Sequence, residues 1–148
     1  MLHLSLWKEE YQTDDMTNQQ KQMLCLEIME KLKAQIKNKD AVRDIGEAIR
    51  LCRKWLDSRA DVSYELYHLL DGEAHGFTLF QEAETDSRMT AVWNVLIDAA
   101  AYICRAVYEG HGAKYFPEPI ELVDEETFLR CVQTYEEVTA GRAADESI

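Results

Sequence analysis

Turn-forming residues are scarce in this chain: only two of its 148 positions are proline and six are glycine. Strands of a sandwich or barrel need such residues about every 8–12 positions. Their scarcity, beside abundant Leu, Ala, Glu and Lys, points to a mostly helical protein. Cysteine in a ligand or redox pattern is also lacking. Cys25, Cys52, Cys104 and Cys131 each fall in an apolar helical pattern with neither CxxC nor Cys/His ligand spacing, so they read as reduced core residues. There is no glycine-rich phosphate loop and no GxSxG. The start, MLHLSLWKEEYQ, lacks a basic segment followed by a long apolar run, which predicts no secretory signal and a cytoplasmic location.

What is present centres on residues 86–109, DSRMTAVWNVLIDAAAYICRAVYE. Met89, Trp93, Leu96, Ala100, Ile103 and Val107 recur at three- and four-residue steps, as a helix burying one stripe requires. Val92, Val95, Ala99, Tyr102 and Ala106 form a second stripe, and the only charge between Arg88 and Arg105 is Asp98. A helix apolar nearly all round is a central one. It would be roughly 35 Å long, and its polar interruptions speak against a membrane span. The predicted fold is an all-α, single-domain bundle of about five to six helices around it. Residues 1–139 form the domain and 140–148 a disordered tail; folding needs no cofactor or disulfide.

Leu2, Leu4, Leu6 and Trp7 suggest a short first helix or packed arm. Thr17 with Gln20 resembles a capping box opening a helix to about Lys37, with Leu24, Cys25, Ile28, Leu32 and Ile36 inward. Asn38 to Asp40 turn into a helix to about Ser58 that buries Val42, Ile45, Ile49, Cys52 and Leu56, with Trp55 at its flank. Ser63 is expected to cap YELYHLL, which Gly72 stops; a helical turn, GFTLFQEAE, precedes the cap Asp86. GHGAKYFPEPIELV holds both prolines and reads as a loop. Asp124, Glu125 and Glu126 favour the start of a last helix with Phe128, Leu129, Val132, Tyr135 and Val138 on its apolar side.

The sharpest enzymatic pattern is Glu27 and Glu30 on one helix with Asp44 and Glu47 on the next, the spacing that holds magnesium in all-helical nucleotide pyrophosphohydrolases. These residues sit opposite the apolar stripes, so they are expected to face solvent without converging. His68 reads as a packing residue, and His75 and His111 as loop histidines without a nucleophile or ligand set. No catalytic, cofactor or metal residue is therefore assigned, and enzyme activity is disfavoured. Asp98 must be paired or reach water, and Asn94, Asp98 and Arg105 form a polar stripe suited to fixing helix register.

The net charge of −12 is unevenly placed: residues 1–60 carry 11 Lys+Arg against 10 Asp+Glu, and residues 61–148 carry 5 against 18, balances of +1 and −13. A single-sign surface repels nucleic acid and anionic lipid and steers a basic partner into contact. The loops bracketing the central helix combine acids with rings: Phe77, Phe80, Glu82 and Glu84 before it, and Tyr115, Phe116, Glu118 and Glu121 after it. Such anchors suit a protein partner, with the alternative that Phe77 and Phe80 plug the core. The helix sets its ends about 35 Å apart, so the loops need not share one surface.

At AIRLCRKWLDS, SYELYHLLDGE, AVWNVLIDAAAYICRAVYE and FPEPIELVDEETF, over roughly residues 45–135, the chain resembles the helical immunity proteins of bacterial polymorphic and contact-dependent toxin systems, in particular helical family six. The resemblance implies a cytoplasmic antidote that binds and blocks one cognate toxin domain, commonly a nuclease, and carries no catalytic residues over. Two other classes remain open: the metal-dependent hydrolase above, and a helical adaptor or regulatory dimer.

Overall fold

The computed structural model describes residues 15–72 and 75–147, with side chains to Ala140. The expected arm at residues 2–7 lies outside them. Seven helices are present among the described residues and no strand: α1 Asn18–Lys33, α2 Lys39–Ser58, α3 Ser63–Leu70, α4 Phe77–Ala83, α5 Ser87–Gly110, α6 Glu118–Glu121 and α7 Glu125–Ser147. The 1–139 domain and the tail at 140–148 remain expectations of the sequence.

Caps set the helix starts. The Thr17 hydroxyl accepts from the Gln20 amide while the Gln20 side chain accepts from the Thr17 amide, closing the capping box of α1. Asn38 accepts from the Asp40 and Ala41 amides at α2, and Asp86 from the Met89 amide at α5. Three expectations need correction. α1 ends at Lys33, four residues early, because the chain must turn before Asn38 caps α2. Ser63 begins α3 without capping it; the Asp61 carboxylate accepts from both its amide (3.1 Å) and its hydroxyl (2.6 Å). Within the expected loop after α5, Glu118–Glu121 form a helical turn, with Pro117 and Pro119 holding its entry.

Every other helix packs against α5, and α1 also contacts α2 and α7. The core fills this arrangement: Leu24, Cys25, Ile28, Ile45, Cys52, Leu96, Ile103, Cys104, Val107 and Phe128 are buried. All four cysteines are free and buried, and burial pushes the Cys104 thiol up to about 12. By length and mean hydropathy alone α5 would serve as a membrane span, despite its polar positions. In the fold, 61% of its most apolar window is buried inside the protein, as in a core helix.

Three glycines sit where a side chain would be costly. A Cβ on Gly72 would collide with the carbonyl oxygens of His68 and His75. Gly76, at φ 137°, starts α4 in a backbone region hostile to side chains. At the other end of α5, a Cβ on Gly110 would run into the Trp55 ring. Trp55, expected at the flank of α2, is instead buried, and its indole N–H donates to the Gln22 side chain at 2.9 Å. Leu129 departs the opposite way: it is exposed, because α7 buries Phe128, Cys131, Val132 and Tyr135 around it.

Candidate functional site

α4 folds back along α5 from one end, and α6 with the start of α7 folds back from the other. Between them lies a groove of about 600 Å³ over Ile97, Asp98 and Ala101 of α5. Tyr67, Leu70, Asp71, Thr78, Gln81 and Glu82 line it from the α3–α4 side, and Pro119, Ile120, Leu122, Val123, Asp124, Glu126, Thr127 and Arg130 from the α6–α7 side. The segments that bracket α5 in sequence therefore do share a surface, because each doubles back toward the helix middle.

The groove is apolar below and acidic around. Asp71, Glu82, Asp98, Asp124 and Glu126 line it, with Arg130 as the one cation among its lining residues. Arg130 is already engaged: Nε and Nη2 donate to the two Asp98 carboxylate oxygens, each at 2.9 Å. The pairing holds the Arg130 guanidinium protonated even more firmly than usual, through the hydrogen bond first and the charge second. Asp71 accepts from the Thr78 hydroxyl at 3.2 Å and the Tyr67 hydroxyl at 3.4 Å. Burial, then the Asp71 charge, raises the Tyr67 phenol above its ordinary pKa. Asp124 and Thr127 cap each other at the start of α7, at 3.2 and 3.3 Å. Glu82 and Glu126 have no hydrogen-bond or ion-pair partner among the described residues. Leu122 stands 77% exposed at the edge, an apolar side chain left in water beside an apolar floor.

The ring-and-acid set expected from sequence is divided by the fold. Phe77 is a correction: it is fully buried, edge-on to Trp93 at 5.6 Å, and cannot touch a partner. Phe80 is half-buried, stacked on the same indole at 5.5 Å, and faces a separate cavity with Arg88 and Glu84. Glu84 accepts from the amides of Thr85 and Asp86, so it braces the bend into α5. Glu82 alone of that segment's set reaches the groove. On the other side Tyr115 is 88% exposed, while Phe116 is half-buried against Tyr108 and beneath the Arg105 guanidinium at 4.5 Å. Glu118 and Glu121 are exposed.

The polar stripe on α5 serves three neighbours. Asn94 accepts from Gln81 of α4, and Asp98 binds Arg130 of α7. Arg105 donates to the carbonyls of Ile120 (3.2 Å) and Glu121 (2.7 Å) and to the Glu109 carboxylate (2.7 Å), which pins α6 to α5. Leu122 and Arg130 were missing from the sequence reading. Their signals are visible in retrospect: a leucine inside an acidic loop, and Arg130 four residues after Glu126 on one face of α7.

Glu27 and Asp44 are buried, contrary to their expected exposure, because α1 and α2 are flanked on more than one side. The four carboxylates still do not converge. Glu30 pairs with Arg53, Glu47 with Arg50, and Asp44 with His75 Nδ1 at 3.2 Å. Among the described residues no group of three His, Cys, Asp or Glu is placed to hold a metal ion. His68 is exposed against Tyr64, at 4.3 Å between rings, where packing inside was expected. His111 Nε2 sits 2.9 Å from the Arg59 carbonyl, and its ring lies beside Trp55.

Fold and groove together describe a small all-α protein with an acidic, apolar-floored cleft. The chain belongs to the family described as immunity protein Imm6, whose model matches residues 20–138. Neither a curated protein nor a solved structure matches it. Membership gives the coarse function: an immunity protein, acting against a toxin.

Proposed function

We propose that this protein neutralises one cognate toxin domain of basic character by binding it and covering its working surface, in the cytoplasm of a bacterium that carries a polymorphic or contact-dependent toxin system. The family membership supports the immunity role. The observation that carries the basic partner is the charge distribution, −13 over residues 61–148 against +1 over residues 1–60. Within the described part of that half, the groove carboxylates Glu82 and Glu126 have no cation of their own. Nuclease toxins suit such a surface, because clefts that grip phosphate are themselves basic. Tyr115, Glu118 and Glu121 are exposed and Phe116 half-buried on the segment leading into the turn that Arg105 pins, and they are offered as further contacts for the partner. Rings in such a setting supply contact area, and carboxylates speed encounter and reject wrong partners.

The test is growth rescue and direct binding with the toxin domain encoded beside this gene. Co-expression should restore growth, and the two purified proteins should form a complex that weakens as salt rises. Loss of both rescue and binding with that toxin overturns the reading.

A further inference from the structure

We propose that the groove over Ile97 and Ala101 is the seat of a basic, amphipathic segment of the toxin. That segment sets an apolar side chain beside Leu122 and places lysine or arginine heads against Asp71, Glu82, Asp124 and Glu126. The inference rests on the immunity reading and adds where, and by what chemistry, the toxin is held.

The floor and the rim make different demands on an occupant. Ala101 and Ile120 are buried beneath the groove, Ile97 is partly open, and Pro119 and Leu122 stand exposed at its edge, Leu122 with most of its surface in water, so covering Ile97, Pro119 and Leu122 removes apolar area from solvent. The volume, about 600 Å³, takes several side chains and no more. Around the strip stand five carboxylates and one arginine, and the arginine is consumed by Asp98. Four negative groups are left for the occupant to neutralise. A wholly apolar segment would strand them, and a nucleic acid would be repelled by them. Lysine and arginine satisfy both demands at once, since their methylene stems lie along apolar ground while their charged heads reach outward. A second copy of this chain is a poor occupant, because its net charge has the same sign.

The experiment measures Kd between this protein and the purified toxin domain encoded beside its gene. The variants are E82K/E126K in the groove, Leu122→Asp at its edge, and a control D57K/E65K with the same charge change on exposed positions elsewhere. None of the altered side chains makes a hydrogen bond or ion pair among the described residues, and circular dichroism checks that each variant is folded. The groove pair should weaken binding about 100-fold or more and Leu122→Asp about 10-fold, with the control within about threefold of the parent. Parental affinity in both groove variants overturns the groove while leaving immunity intact. An equal loss in the control overturns it too, since general charge attraction would then account for binding. A homodimer seen by light scattering and separated by E82K/E126K would assign the groove to a second copy, against the proposal. If the parent protein itself does not bind the toxin, the immunity reading falls and the groove assignment falls with it.

Discussion

Asp98 and Arg130, 32 positions apart in sequence, are joined by two parallel hydrogen bonds of 2.9 Å that lock α5 to α7 in one register. Asp98 is mostly covered, at 14% exposure, and Arg130 lies over it in the groove. Removing Arg130 strands the covered carboxylate, whereas Asp98→Ala loses the two hydrogen bonds that tie α5 to α7 and should lower stability by about 1–3 kcal/mol. A double-mutant cycle with Arg130→Ala in urea separates the pair from the single losses. An Asp98→Ala variant that unfolds with the parent would remove any stabilising role for the pair.

The contact of Gly110 with the Trp55 ring fixes how closely α5 passes α2. Gly110→Ala inserts a methyl where the indole stands and should cost about 1–3 kcal/mol, although alanine is the better helix former. Differential scanning calorimetry reads this as a lower Tm. A higher Tm would mean that the indole moves aside freely, even with its N–H bonded to Gln22.

Phe77 and Tyr115 separate folding from binding. Phe77 is fully buried against Trp93, so Phe77→Ala should destabilise the protein by about 3–5 kcal/mol. Tyr115 is 88% exposed, and Tyr115→Ala should leave the unfolding midpoint within about 0.5 kcal/mol of the parent while weakening toxin binding. Chemical unfolding and toxin titration on the same two variants decide it; unchanged toxin affinity in Tyr115→Ala would take that ring out of the interface.

Acid should loosen the start of α3. The Asp61 carboxyl is held below its ordinary pKa, first by the Ser63 hydroxyl and then by the Ser63 amide. A group depressed in the folded state stabilises above its unfolded pKa, near pH 4, and loses that contribution as pH falls through the folded value. Asp61→Asn should therefore be less stable than the parent at pH 7, with the gap closing as pH falls through the folded-state value. Urea midpoints across pH 2–7 measure it. A constant gap would show that Asp61 acts through its shape and not its charge.

The parts of this fold written into the sequence are those that depend on a helix and its own ends. Asp86 and Thr17 cap where their spacing implies, and the apolar stripes of α5 are buried, with Met89, Tyr102 and Ala106 half-buried, because neighbouring helices pack along most of it. What misled was the assumption of one buried direction per helix. α1 touches α2, α5 and α7, so Lys21, Gln22 and Glu27 are buried beside Leu24 and Ile28. The same assumption placed Trp55 at a flank. In the candidate site, the acidity and the two segments were legible, but their meeting was not, because periodicity says nothing about a chain doubling back past Gly72 and Gly76. Phe77 and Tyr115 look alike in composition and lie at opposite extremes of burial.

Arg105 holds the turn at α6 through the main-chain oxygens of Ile120 and Glu121, not through their side chains. Any residue supplies a carbonyl, so the exposed positions 118, 121 and 122 can change identity while Pro119, the buried Ile120 and the turn's posture stay as they are. If this turn meets the toxin as proposed, a toxin that alters its surface would be followed by rewriting a few outward letters, with the caps and the buried frame left as they were.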